Sequence, residues 1–252
     1  MWYNMSMDKK PTLLEVLRRE NEAGVKGGIY HKVQIELTYN SNHIEGSTLT
    51  HDQTRYIFET NTIVPESEKV KGVKVDDIVE TANHFRCVDY IIDNANNKVT
   101  ANMLKILHQI LKNGTSDSLK SWFVVGDWKK LPNEVGGEVT TPPEKVNDEI
   151  TRLLDWYGKL ENPTFDNLLD FHQRFEKIHP FQDGNGRVGR LILFKECLRL
   201  DIVPFIIDEE LKMFYYRGLR EWPAEKGYLR DTCLTAQDKF KEYLNYFKIA
   251  NS

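Results

Sequence analysis

Between Thr100 and Gly114 the chain reads TANMLKILHQILKNG, and Met103, Leu104, Ile106, Leu107, Ile110 and Leu111 recur at helical spacing to make one wide apolar face. Thr100 supplies an N-cap and Asn113-Gly114 a stop, so the stretch predicts a helix that must be covered by other apolar surface. The same period returns along most of the chain. It predicts helices over 12–22, 50–60 with Thr50 as cap, 75–92, 146–160, 165–178 behind Pro163-Thr164, 187–200, 208–221 and 229–247. Gly24, Gly27 and Gly28 form a joint after the first of these. The segment YHKVQIELTYN, 30–40, fits a strand or a helix, and its period does not decide. IVPESEKVKGVK, 63–74, reads as a loop, and the residues before Thr12 carry no assignment.

One segment breaks the helical pattern. SWFVVGDWKKLPNEVGGEVTTPPEKV, 121–146, is rich in Trp, Val, Gly and Pro, with turn signals at Pro132-Asn133 and Gly136-Gly137, and predicts a short hairpin or an extended flap. The expected fold class is therefore mainly α with one small β element. At 252 residues with 40% hydrophobic and 29% charged side chains, the chain can build one large domain or two small ones. Its 34 basic against 38 acidic residues give a net charge of −4, which provides no general field for a polyanion and excludes nucleic acid as an expected partner. Cys87, Cys197 and Cys233 are far apart and odd in number, which points to buried thiols in a reducing compartment. No stretch has the length of a membrane span, and the amino terminus lacks the apolar run of a signal peptide, so the expected location is cytoplasmic without membrane contact.

The chemistry concentrates in HPFQDGNGRVGR, 179–190, lying between two predicted helices. Gly184 and Gly186 permit backbone angles that aim successive N–H groups into one concavity, to which the following helix adds its positive end. Such a nest binds phosphate. Arg187 and Arg190 stand three apart and can reach one polyphosphate with forked hydrogen bonds, and Asn185 can donate an amide. Asp183 is a hard oxygen ligand suited to a Mg²⁺ that bridges phosphate oxygens. His179 has the imidazole needed to take a proton from a hydroxyl nucleophile.

These residues resemble the signature of the Fic proteins, H-P-F-x-D-G-N-G-R-x-x-R, with every specified position matched. The resemblance implies a Fic-type helical core with a small β-hairpin flap, in which the signature loop joins two central helices. It also implies transfer of AMP from ATP to a Ser, Thr or Tyr hydroxyl of a target protein, with pyrophosphate leaving. Carried over by position, His179 is the general base and Asp183 the Mg²⁺ ligand. Gly184, Asn185 and Gly186 cradle the α- and β-phosphates, Arg187 holds the polyphosphate, Arg190 grips the γ-phosphate and Phe181 anchors the loop. The signature of the kinase variant is not matched, since Gly186 and Arg187 stand where that subgroup differs.

Residues 123–143 resemble the family's flap, which pins a target segment by strand-like pairing. Tyr215 and Tyr216 resemble aromatic positions of the adenosine pocket, with a core role as the alternative. SNHIEG, 41–46, resembles the inhibitory motif of the subgroup whose inhibitory helix precedes the core. There the resemblance implies that Glu45, with Ser41 at the motif's start, pairs with Arg190 and blocks the γ-phosphate. The expected organisation is an N-terminal helical region, 1–95, carrying that motif, and a catalytic core with C-terminal helices, 96–252. Dimers and self-modification are further expectations from the family. Two other functions are weighed against transfer: removal of AMP, with Glu45 positioning water, and a nucleotide-responsive protein-binding module. A DNA-bound regulator is not expected, because only about thirty residues follow the helix at 208–221, too few for a winged-helix appendage.

Overall fold

The computed structural model describes residues 11–63 and 72–249. The residues before Thr12, apart from Pro11, and most of the expected loop at 63–74 lie outside this description. Ten helices and one two-stranded sheet are present among the described residues. In chain order they are α1 Leu13–Glu22, α2 Ile29–Ile44, α3 His51–Thr60, α4 Val75–Asp93, α5 Ala101–Lys112, β1 Glu134–Val135, β2 Glu138–Val139, α6 Pro143–Gly158, α7 Phe165–Ile178, α8 Asn185–Arg199, α9 Lys212–Glu221 and α10 Gly227–Tyr246. None of the described helices is long and apolar enough to cross a membrane.

The helix starts follow side-chain chemistry. Thr12, Thr50 and Thr164 each accept from the third helical N–H while Glu15, Gln53 and Asn167 reach back to the cap, which satisfies two otherwise orphaned donors apiece. Thr100 caps α5 through Met103 N. At the hairpin, Gly136 and Gly137 both have positive φ, 60° and 84°, the two-residue turn that matches strand twist; β1 and β2 then pair with Glu134 opposite Val139. Only these four residues are strand. The rest of 121–142 is loop, and α6 takes over at Pro143.

The helix at 29–44 resolves what its period could not. Gln34, Thr38, Asn40, Ser41 and Asn42 are buried along with Ile29, Val33, Ile35 and Leu37, so burial along α2 does not follow hydropathy, and only the narrow, partly exposed stripe of Lys32, Glu36, Tyr39 and His43 marks its period. Burial departs from hydropathy in α8 too, which is buried from Asn185 to Leu198 except at Gly186. The helix expected from Asp208 begins later, at Lys212, after a turn in which Asp208 accepts from Leu211 N.

α8 forms the centre. It packs against α7, α4, α5, α2 and α1, and one apolar cluster runs from Leu13 and Val33 through Val88, Leu104 and Leu107 to Phe175, Leu191 and Phe240. That cluster crosses residue 95 without a break, so the regions 11–95 and 96–249 share one core. Cys87, Cys197 and Cys233 are buried free thiols.

Candidate active site

The loop 179–184 turns the chain from α7 into α8. His179 caps α7 in the left-handed region at φ 51°, and Gly184 opens α8 at φ 81°, where a side chain would be strained. The first helical bond of α8 runs from Val188 N to Gly184 O, which leaves the N–H groups of Asn185, Gly186 and Arg187 without intrahelical acceptors. They form the positive end of a helix aimed at the loop's concavity.

Phe181 holds the loop down. Its fully buried ring stacks on His108 at 4.1 Å and lies 5.2 Å from Trp128. His108 is itself fixed, accepting at Nδ1 from Gly126 N at 2.9 Å. The flap segment grips the loop's other side: Lys129 N donates to Pro180 O at 2.8 Å and Asn133 Nδ2 to Phe181 O at 3.1 Å. Lys129 Nζ, nearly enclosed, donates to Asn133 Oδ1 and Thr140 Oγ1.

Two expectations about the nest are corrected. Asn185 does not offer its amide outward; Oδ1 accepts from Phe181 N at 2.8 Å and Nδ2 donates to Phe181 O at 2.9 Å, so the side chain closes the loop on itself. Gly186 has no positive φ and sits inside the first turn of α8, where what it supplies is space: a Cβ there would collide with the Glu45 carboxylate and approach Arg190.

His179, whose Nδ1 is buried without a partner, has its imidazole pushed down to about 4, first by burial and then by the ammonium of Lys129, and is neutral near pH 7. The Lys129 ammonium is in turn lowered to about 8 by burial. Asp183 keeps half of its side chain open to solvent. Burial alone would raise its carboxyl, but Arg187 and Lys112 outweigh that and hold it well below the usual range.

The two arginines have partners already. Arg187 pairs through Nη1 with Glu80 of α4 and donates Nη2 to Asp183 Oδ2 at 3.1 Å. Arg190 donates Nη2 to Ser41 O at 2.8 Å and to Glu45 Oε1 at 2.7 Å, and Nε to Ser41 Oγ at 3.1 Å. Glu45 is the C-cap of α2, directly after its last helical residue, and the pairing is made within one chain. Burial works against the charged guanidinium of Arg190; Glu45 more than restores it.

Tyr215 and Tyr216 separate. Tyr215 is fully buried with its hydroxyl 2.5 Å from His172 Nε2, which makes it a core residue and corrects the pocket expectation for that position. Tyr216 is partly exposed and its hydroxyl reaches Ile44 O at 3.4 Å, beside Glu45.

Three residues of the site carried no mark in the sequence. Lys112 ends α5, where a lysine ordinarily answers the helix dipole, yet its ammonium turns inward to Glu80, Asp183 and Asp117 at 2.5, 2.7 and 3.1 Å. Glu80 looks like any helical glutamate. Glu176, one turn before His179, is a buried carboxyl raised to about 8 by burial, with Glu45 adding to the effect and Arg190 opposing it. The i, i+3 step from Glu176 to His179 was the only available signal.

The central helix of the bundle thus opens on three N–H groups without intrahelical acceptors, bordered by the half-open carboxylate of Asp183. Residues 98–196 match the model of the Fic/DOC family. Among curated proteins it is 28% identical to protein adenylyltransferase Fic of Drosophila willistoni, over 98% of this chain and 48% of that protein. It is 27% identical to protein adenylyltransferase Fic of Nematostella vectensis, over 76% and 43%. The chain thus spans about half or less of these relatives. A Fic domain containing signaling protein from Bacteroides thetaiotaomicron superposes with a TM-score of 0.67 at 28% identity, covering 94% of this chain and 85% of that one. A Fic family protein from Desulfovibrio desulfuricans shares the fold, with a TM-score of 0.69 at 21% identity over 94% and 73%.

Proposed function

We propose that this chain is a protein adenylyltransferase, moving AMP from ATP to a Ser, Thr or Tyr hydroxyl of a target protein, and that Glu45 restrains it. The observation that carries the reading is the short loop 179–184, which ends α7 on His179 and opens α8 on three N–H groups without intrahelical acceptors. That arrangement puts a proton acceptor next to a phosphate cradle, which is what hydroxyl attack on a phosphate needs. The names of the relatives point the same way.

In the proposed reaction the target hydroxyl gives its proton to His179 while its oxygen bonds to the α-phosphorus. The bond from that phosphorus to the bridging oxygen breaks and pyrophosphate leaves. The N–H groups of residues 185–187 receive the negative charge of the phosphates, and Arg187 and Arg190 supply the fixed cations for the tail. Tyr216, rather than Tyr215, is the aromatic available to the base. The target segment is proposed to lie along the flap, whose exposed Val135 and Val139 flank the hairpin turn.

The loop's donors fit a Mg²⁺ whose remaining ligands are phosphate oxygens and water, since such an ion takes only one or two carboxylates and Asp183 offers one that is half open. Among the described residues no group of three or more His, Cys, Asp and Glu forms a metal site by itself. When bound, the ion would neutralise charge on the leaving phosphates.

Restraint follows from competition. While Glu45 and Ser41 occupy the donors of Arg190, the γ-phosphate has no grip there, and the α-phosphate is not held in line for attack. The reaction class is tested by incubating the Glu45→Gly protein with Mg²⁺ and ATP labelled at the α or, separately, the γ phosphate. Protein-bound label from the α position alone supports AMP transfer. Label from the γ position would make the protein a kinase and overturn the reading.

A further inference from the structure

Lys112 presents an unusual case of a lysine with no freedom. Its side chain is 2% exposed, its stem passes beneath Gly184, and its ammonium meets carboxylates from three separate parts of the chain. Glu80 comes from α4, Asp117 from the short 3₁₀ turn Ser116–Leu119, and Asp183 from the signature loop. An ammonium has three N–H bonds, and here three acceptors take them. A buried ammonium tolerates nothing less, because each unpaired proton would leave charge stranded away from water.

Two consequences follow from this saturation. Lys112 does not swing out to a phosphate in the manner of a lysine on a flexible loop. It also stands beside Asp183, so a hard cation approaching that carboxylate meets a positive charge already in place. Glu80 continues the arrangement by pairing with Arg187, whose Nη2 returns to Asp183, so two cations and two carboxylates alternate around a closed ring with Asp117 attached. Removing the ammonium would leave three carboxylates facing one guanidinium.

We propose that Lys112 is a positioning residue that acts as the resident counter-cation of Asp183, so that the nucleotide-free protein takes up no divalent ion and the metal enters only as its complex with ATP. This rests on the adenylyltransferase reading for its biological sense, though not for its test. Lys112 holds Asp183 Oδ2; the metal shares the carboxylate only when phosphate oxygens complete its coordination. Metal would then never load ahead of substrate, and the site would not be blocked by a cation without a nucleotide.

The probe is Mn²⁺, followed by electron paramagnetic resonance against the nucleotide-free protein, Lys112→Gln, and Lys112→Gln combined with Asp183→Asn. The parent is expected to leave Mn²⁺ free over the range in which ATP complexes it. Lys112→Gln is expected to bind it at least about tenfold more tightly, because one positive charge within a few ångströms has gone, and Asp183→Asn is expected to cancel that gain. Tight Mn²⁺ binding by the parent, no difference in Lys112→Gln, or a gain that survives Asp183→Asn would each overturn the assignment.

Should Lys112→Gln fail to fold by circular dichroism, the parent decides. Mn²⁺ bound only together with a non-hydrolysable ATP analogue, and not in Asp183→Asn, upholds the proposal; Mn²⁺ bound alone ends it. Absence of analogue binding by Glu45→Gly would remove the adenylyltransferase reading, while the nucleotide-free Mn²⁺ titrations would still judge Lys112.

Discussion

The Glu45 carboxylate lies 2.7 Å from the Arg190 guanidinium, joining the end of α2 to the first turns of α8 across 145 positions of sequence. Arg190 is buried and Glu45 is about one-third exposed, so the carboxylate is the partner that can leave. Its departure strands a buried cation unless an anion takes its place, and the phosphate tail of a nucleotide is such an anion.

Ser41 shares this restraint. Its hydroxyl accepts from Arg190 Nε at 3.1 Å, while its carbonyl, which any substitution retains, accepts from Nη2. A hydrogen bond to a charged group contributes roughly 1.5–3 kcal/mol. Ser41→Ala is therefore expected to raise AMP transfer by about tenfold or more, though by less than Glu45→Gly, measured as label from α-labelled ATP. Transfer equal to the parent would show that the hydroxyl contributes nothing.

His179→Ala, made in the Glu45→Gly protein, is expected to cut transfer by about 10²–10⁴-fold while leaving binding of an ATP analogue in place. The pH profile is a separate check. With its folded value near 4, the imidazole is already neutral at pH 6, so transfer should stay level from pH 7.5 to about 5.5. An acid limb centred near about 6.5 would contradict the buried environment.

Stability should fall in acid. His84, His108 and His172 are held near 3 chiefly by burial, and His179 near 4, whereas the unfolded chain protonates these rings near 6.5. Below that value the unfolded state binds more protons, so the stability present above it is lost progressively down to about pH 3. Glu176 has the opposite sign: raised to about 8, it makes the folded state bind the extra proton, which lowers stability as pH rises from about 4.5 to 8. Urea midpoints are expected to drop from pH 6.5 to 4.5, and Glu176→Gln is expected to flatten the curve on the alkaline side. A midpoint constant across the acid range would refute the four neutral rings.

Asn185→Ala is expected to weaken the fold rather than phosphate contact alone. It removes both hydrogen bonds to the Phe181 backbone and leaves a buried N–H unpartnered, a loss of roughly 1–3 kcal/mol in urea unfolding. An unchanged midpoint with weaker analogue binding would return Asn185 to the outward role expected from the sequence.

How much of this was legible follows from where each residue gets its meaning. Thr50, Thr100 and Thr164 act on their own helix starts, and the local sequence names them. The loop 179–190 is equally local, since its spacing sets both the turn and the helix that follows. Residues whose role is made by distant partners were not legible. α2 lost its period because its own polar side chains, Gln34, Thr38, Asn40, Ser41 and Asn42, are buried with its apolar ones. Lys112 and Glu80 depend on α4, α5 and the loop meeting, and nothing near either position announces that meeting. Asn185 and Gly186 were placed in the right loop with the wrong geometry, because a residue type permits several hydrogen-bonding directions and only the folded backbone selects one.

The most direct test of the central claim compares the parent with Glu45→Gly, both folded by circular dichroism, for transfer of label from α-labelled ATP with Mg²⁺ to the protein itself and to a cell lysate. The account predicts at least about tenfold more label in Glu45→Gly, since freeing a buried charged pair is an effect of more than about 1.4 kcal/mol. Equal or lower labelling by Glu45→Gly would contradict it.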